Sequence, residues 1–229
     1  MNIKCFFLEP TDQCMESLRR YASGGTCPAG SYHNAVVDTG QREQRGNDAC
    51  GDRVAHDDPR WPTHCGCGYA FQPGDDWQSR VDALYRRSDT GELVKLSAAP
   101  VGAMWFAPWM SDREDYVGPD GQTLVVRLPG RHDWIVDARA SNCDSPCRNC
   151  GKPYHQHAGG LCAPITPGVK YDRETHAYRD ASPHKCWVRH GTAPDVHVDK
   201  NGGTCGAGSG SIAVPGYHGF LHNGHLTDC

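Results

Sequence analysis

Thirteen cysteines and thirteen histidines stand in a chain of 229 residues, and no other feature constrains the fold as strongly. A chain so rich in soft ligands either cross-links itself through disulfides or gathers metal. The cysteine number is odd, and the N-terminus, MNIKCFFLEPTDQC, carries too short an apolar run for a signal peptide. Both points favour a reducing compartment and thiols that hold metal. Cysteine beside histidine then reads first as structural zinc. Disulfides in an exported protein are the competing account. Cross-links of some kind are expected, because only 38% of the residues are hydrophobic and mean hydropathy is −0.64. That is a thin core for a chain of this length.

The most specific ligand pattern is CRNCGKPYHQHAGGLC. Cys147 and Cys150 form C-x2-C, which in a tight turn places two thiolates on one side of a tetrahedron. A glycine-containing loop returns His157 and Cys162 to the other side. His155 has knuckle spacing from Cys150, but the four-residue gap to Cys162 favours His157. Zinc knuckles can bind single-stranded nucleic acid. Here only Arg148, Lys152 and Tyr154 offer charge or stacking, so the loop reads as structural. A second pattern, THCGCGYAF, sets Cys65 and Cys67 one residue apart beside His64. It supplies half a zinc site, with Cys5, Cys14, Cys27 or Cys50 as candidate partners. Cys143, His184 and Cys186 form a weaker third group, and Cys186 beside Trp187 is as readily a buried apolar thiol.

Charge and hydropathy narrow the partners. The net charge is −4 and the 23 basic residues are scattered rather than gathered in a stripe, which argues against nucleic acid. No apolar run reaches the roughly 18 residues a membrane span needs. A protein substrate or partner in the cytoplasm is the expectation that follows.

Periodicity and turn residues predict an α+β, mostly β fold: small antiparallel sheets with short helices and long loops, stabilised by zinc. Strands are expected at 3–8, 34–38, 122–128 and 133–139, and again at 185–191 and 195–199. A hairpin is expected around SDTG at 88–91. Met15, Leu18 and Ala22 fall on one face of a helix over 12–22, stopped by Ser-Gly-Gly. Residues 39–60 read as a long loop. The expected organisation is an N-terminal β-rich part, 1–142, carrying the Cys65/Cys67 element. An inserted knuckle-like loop, 143–183, and a C-terminal β part, 184–229, follow; the last can form one domain with the first.

The C-terminal part contains GSGSIAVPGYHGFLHNGH. If SIAV and YHGF pair around Pro215-Gly216, Ala213 opposes His218 and Ser211 becomes its diagonal neighbour, roughly 7 Å away between backbones. Ile212, Val214, Tyr217 and Leu221 share the core face; Ser211, Ala213 and His218 share the other. A serine with a histidine base in reach is a candidate nucleophile. The glycine-rich TCGAGSG before it could hold an oxyanion. Asp199 and Asp228 are the nearest acids in the chain, and Cys205 is a weaker nucleophile. Ser and His on one sheet face more often do nothing chemical. A catalytic zinc held by His218 with His184, His190 or His222 ranks last, because the spacing matches no common metallohydrolase motif.

The stretch CWVRHGTAPDVHVDKNGGTCGAGSGSIAVPGYHGFLHNGHL resembles a domain family of unknown function from bacteria and their phages, sometimes encoded beside ubiquitin-like conjugation genes. The resemblance rests on Trp187, Pro194, Val198, Ser211-Ile212, Tyr217-His218-Gly219-Phe220 and Asn223-Gly224. It covers about 40 residues. It implies a deubiquitinase-like serine peptidase acting on a ubiquitin-like protein or its conjugates, with Ser211 and His218 as nucleophile and base, in a bacterial or phage-infected cell. The larger insertion and the extra histidines depart from the compact family pattern. PTHCGCGYAF, APVGAMWFAPW and the Cys147–Cys162 loop likewise resemble stretches of phage proteins. The alternative is a non-enzymatic zinc-held interaction protein or virion component, with Trp105 and Trp109 as contact residues; the plainer reading buries those tryptophans in a core.

Overall fold

The computed structural model describes residues 1–22, 27–30, 32–44, 54–111, 116–138, 140, 171–172, 177–178, 186–200 and 210–229. In chain order the strands are β1 (Asn2–Lys4), β2 (Phe6–Ala22), β3 (His33–Glu43), β4 (Asp76–Arg87) and β5 (Leu93–Lys95). Then come β6 (Ala103–Phe106), β7 (Leu124–Leu128), β8 (His132–Ile135), β9 (Tyr171–Asp172) and β10 (Ala177–Tyr178). The last five are β11 (Trp187–His190), β12 (His197–Lys200), β13 (Ile212–Val214), β14 (Tyr217–His222) and β15 (His225–Asp228). The fold is mostly β, and among the described residues the only helices are short 3-10 turns. None is long and apolar enough to cross a membrane. The chain divides into two compact units, one of Met1–Leu8 with Ala99–Cys229, the other of Glu9–Ala98.

The helix expected over 12–22 is instead the body of β2, a correction with a clear cause. A bulge at Glu16/Ser17 shifts the register with β3. It breaks the alternation there, so Met15, Leu18 and Ala22 mimic helical spacing. Beyond the bulge Leu18, Arg20 and Ala22 are buried at strand period. The charge on Arg20 hides that stripe, yet its guanidinium lies 3.7 Å from the centre of the Trp77 ring and donates to the Gln72 carbonyl at 2.6 Å. Such stacking suits a planar, weakly hydrated cation. Likewise β3 runs on through residues 39–43, which read as loop.

In the unit of Glu9–Ala98, β2 lies between β3 and β4, and β4 pairs with β5. The hairpin around SDTG forms with Leu84 opposite Lys95. In the other unit, the start of β2 pairs parallel with β6, and β6–β7–β8 continue antiparallel. The sheets are therefore not purely antiparallel. A second sheet has the order β1-β15-β14-β13, and β11 pairs with β12. The core of this unit gathers Met104, Leu124, Val126, Leu128, Val196 and Leu221. Trp134 and Trp187 meet edge to face at 5.4 Å. The two tryptophans of GAMWFAPWM part ways: Trp105 is buried and Trp109 is exposed.

An ion-pair cluster runs from the exposed Asp120 to the buried Arg189 and Asp137. The Arg189 side chain, 3% exposed, grips Asp120 through both terminal nitrogens at 3.0 and 2.7 Å. Its Nε lies 3.2 Å from Asp137, which is 5% exposed. Gly219, in the middle of β14, marks another tight contact. A Cβ there would lie 1.9 Å from the Thr227 carbonyl and 2.5 Å from the Tyr217 hydroxyl. Gly219→Ala is expected to destabilise by roughly 3 kcal/mol, the upper end for overpacking. Urea unfolding checks this; a midpoint equal to wild type would contradict it.

Candidate metal centre and serine–histidine pair

Two short turns in the Glu9–Ala98 unit repeat one design. In Cys27-Pro28-Ala29-Gly30 the Gly30 N–H donates to the Cys27 carbonyl at 3.0 Å. In Cys65-Gly66-Cys67-Gly68 the Gly68 N–H donates to the Cys65 carbonyl at 2.8 Å. Pro28 presets the first turn, and Gly68, at φ +92°, closes the second where a side chain would be strained. In each turn the N–H two residues on also points at the first cysteine's sulfur: Ala29 at Cys27, and Cys67 at Cys65. Amide donors of this kind orient and stabilise metal-bound thiolates. The second turn is the tip of a small hairpin in which Cys65 N–H bonds Tyr69 O and Phe71 N–H bonds Thr63 O, both at 2.9 Å.

Strand β3 completes the cluster. His33, its first residue, places Nδ1 3.2 Å from Cys67 Sγ, and its ring stacks on Tyr69 at 4.0 Å and 6°. Asn34, the second, offers its N–H to Cys65. Cys27 and Cys65 are buried with Phe71, against Ala35 and Tyr69. Their sulfurs are 3.8 Å apart. With zinc–sulfur bonds of about 2.3 Å, the edge of a tetrahedron is also about 3.8 Å. One ligand atom from each of Cys27, His33, Cys65 and Cys67 lies within 4.8 Å of all the others, a donor set consistent with a structural metal site. Cys67 is exposed, at the edge of an open hollow of about 380 Å³ lined by Tyr32, Asn34 and the three cysteines.

The electrostatics favour thiolate. The Cys67 and Asn34 amides, with the His33 ring and the Cys67 thiol, bring Cys65 down to about 6 despite burial. Cys27 moves the other way. The Ala29 N–H draws it down, but desolvation and the neighbouring Cys67 and Cys65 sulfurs together raise it. A negative charge is thus concentrated on Cys65 among polarisable neighbours, the setting a divalent cation neutralises.

Of the partners expected for Cys65 and Cys67, Cys27 is the one present among the described residues, and His33 was not foreseen. His64 instead bonds its neighbour Thr63 at 3.0 Å. Cys14 sits buried with its sulfur 3.4 Å from the Arg42 carbonyl. Cys5 lies in the core of the other unit, where burial pushes its thiol up to about 12. Cys50, Cys147, Cys150, His155, His157 and Cys162 lie outside the described residues, as do Cys143, His184, Cys205 and most of the glycine-rich stretch before Ser211. Cys186 is buried and receives the Ala140 N–H at 3.3 Å.

At the C-terminus β13 and β14 pair with Val214 opposite Tyr217 and Ala213 opposite His218. Ile212, Tyr217 and Leu221 are buried, whereas Ala213 and His218 face out. His218 Nε2 lies 3.2 Å from Ser211 Oγ. No carboxylate bonds this ring among the described residues. Asp228 holds the N-terminal ammonium at 2.6 Å, and Asp199 lies beside His197 and His190. Nor do His190 and His222 approach His218; they gather instead around His197. The chain was compared with protein-family models, with curated proteins and with solved structures, and none of the three comparisons gives a match.

Proposed function

We propose that this chain is a zinc-stapled, non-catalytic interaction protein. The observation that carries the reading is the four-donor cluster of Cys27, His33, Cys65 and Cys67. Three sulfurs and one imidazole fill a tetrahedron, and a zinc with four protein ligands has no position for water or substrate. Such an ion holds structure. Here it would fasten the Cys27 turn and the Cys65 hairpin to the start of β3. Tyr32, Val36 and Val37 are exposed beside it on the same stretch of chain. Apolar groups displayed on a metal-braced strand suit contact with another protein. Metal analysis of the purified protein tests the staple: Cys27→Ser is expected to bind one zinc fewer per chain than wild type. Equal zinc in both would contradict it.

A specific distance keeps a second reading. Ser211 Oγ and His218 Nε2 are at hydrogen-bond separation, and the resemblance to conjugation-associated peptidases points at the same two residues. In that reading His218 takes the Ser211 proton as the oxygen attacks a carbonyl in the tail of a ubiquitin-like protein. The dyad is exposed, and its ring lacks an orienting acid among the described residues, so it ranks below the first reading. A fluorophosphonate probe separates the two. The interaction reading predicts equal, background labelling of wild type and Ser211→Ala; labelling of wild type at least tenfold above the variant would favour the peptidase.

A further inference from the structure

The three sulfurs of the metal cluster are not equivalent. Cys27 and Cys65 are each 7% exposed, whereas Cys67 is exposed at the edge of the hollow of about 380 Å³. Amide groups divide them the same way. The Cys67 and Asn34 N–H groups point at the Cys65 sulfur, and the Ala29 N–H points at Cys27. Among the described residues the partners of the Cys67 sulfur are His33 Nδ1, at 3.2 Å, and the sulfurs of Cys27 and Cys65.

These differences decide which sulfur an electrophile meets first. On a zinc ion all three are thiolates, so ionisation no longer separates them. Intrinsic nucleophilicity and access remain. Each amide draws electron density from the sulfur it faces, and the same two sulfurs are the covered ones. Cys67 is spared on both counts. A second sulfur stands within reach. Every ligand atom of the cluster lies within 4.8 Å of the others. Side-chain rotation then brings Cys27 Sγ to the bond length of about 2.05 Å that a disulfide to Cys67 requires. Cys65 is less suited. Only Gly66 separates it from Cys67, and a bond between them would deform the turn that the Gly68 N–H closes at 2.8 Å.

We propose that Cys67 is a peroxide-reactive site whose oxidation opens the zinc staple. The device presupposes the zinc reading above and adds regulation to it. The Cys67 thiolate attacks one oxygen of hydrogen peroxide; the O–O bond breaks, and a sulfenic acid and hydroxide form. The Cys27 thiolate then attacks the Cys67 sulfur and displaces its hydroxyl as a second hydroxide. The two sulfurs together lose two electrons, and the two peroxide oxygens gain them. The Cys27–Cys67 disulfide leaves His33 and Cys65 of the original four ligands, too few to retain a structural zinc. A dithiol reductant reverses the step. The whole device lies in the unit of Glu9–Ala98.

The test uses the full chain, loaded with zinc under reductant and then desalted. Hydrogen peroxide is added together with dimedone, which traps sulfenic acid, and the labelled peptides are mapped by mass spectrometry. Label is expected on Cys67 at about tenfold or more the level on Cys27 or Cys65. Without dimedone, peroxide is expected to form the Cys27–Cys67 disulfide and release zinc to a chromogenic chelator. Cys67→His keeps four donors without the reactive thiolate. Wild type should therefore release one zinc per chain more than this variant. The label map on wild type needs no variant and stands if Cys67→His fails to fold. Label on Cys27 or Cys65 ahead of Cys67, or a disulfide between any other pair of the three, would overturn the proposal. So would equal zinc release from wild type and a zinc-loaded Cys67→His. Failure of the staple itself reads differently: zinc content before peroxide is then equal in wild type and Cys27→Ser, and the switch falls with it.

Discussion

Removing zinc from this protein, or replacing Cys65 with serine, is expected to lower the melting temperature of the Glu9–Ala98 unit by about 20 °C. The estimate starts from ligand linkage. An ion at a thousand times its dissociation constant stabilises the folded state by about 4 kcal/mol, and each kcal/mol shifts a unit of this size by about 4–8 °C. The loss should be local as well as large. Cys27, His33, Cys65 and Cys67 are brought together by two turns and one strand end rather than by a continuous sheet. Without the ion, three sulfurs remain close to one another with a thiolate among them. Hydrogen exchange should therefore rise first over residues 27–34 and 63–71. Thermal scans with and without a chelator, on wild type and Cys65→Ser, check the expectation. A chelator that leaves the transition where it was would contradict it.

Arg189→Met is expected to produce the second large effect, in the other unit. Its guanidinium is the common partner of Asp120 and Asp137. Removing it takes the guanidinium away from the buried Asp137 carboxylate, and breaking such a pair costs about 3–5 kcal/mol. That corresponds to a fall of about 10–15 °C in melting temperature. Most of the cost is the lost pairing of a buried charge, so Arg189→Met with Asp137→Leu should recover a large part of it. Failure of the double variant to recover would mean that the arginine acts through packing alone.

The same pair sets a pH dependence. Partial burial would raise Asp120, but the Arg189 guanidinium and the Gln122 N–H outweigh it and hold the carboxyl below its ordinary range. A folded-state value below the unfolded one means the bond stabilises above the ordinary carboxylate range. The contribution is lost as pH falls through the lower, folded-state value. Asp120 is 38% exposed, so solvent screens part of this contribution. Urea midpoints measured from pH 5 downward should fall more steeply for wild type than for Arg189→Met.

The hairpins were legible because their turns announce themselves: SDTG between β4 and β5, PGRH between β7 and β8, and Pro215-Gly216 between β13 and β14. Alternation then set which side chains face the core, and with it the approach of Ser211 to His218. The long strand β2 was not legible, because one bulge and one buried arginine together imitate a helix. The metal cluster was half legible. CGCG drew notice through its paired cysteines, whereas Cys27 and His33 lie some 40 residues upstream, beyond the reach of local spacing. The signal that could have singled out Cys27 among the four candidate partners is the repeat of C-x-x-G itself, CPAG at 27–30 and CGCG at 65–68. Each places a glycine where the turn closes on the cysteine carbonyl. His33 carries no such mark; only the stack on Tyr69 and the start of β3 bring it in.

The most direct measurement is anomalous diffraction at the zinc edge from crystals of the purified chain. The account predicts a peak between Cys27 and Cys65, about 2.3 Å from three sulfurs and about 2.1 Å from His33 Nδ1. A peak elsewhere with none at this position, or a disulfide joining Cys27 to Cys65, would contradict it.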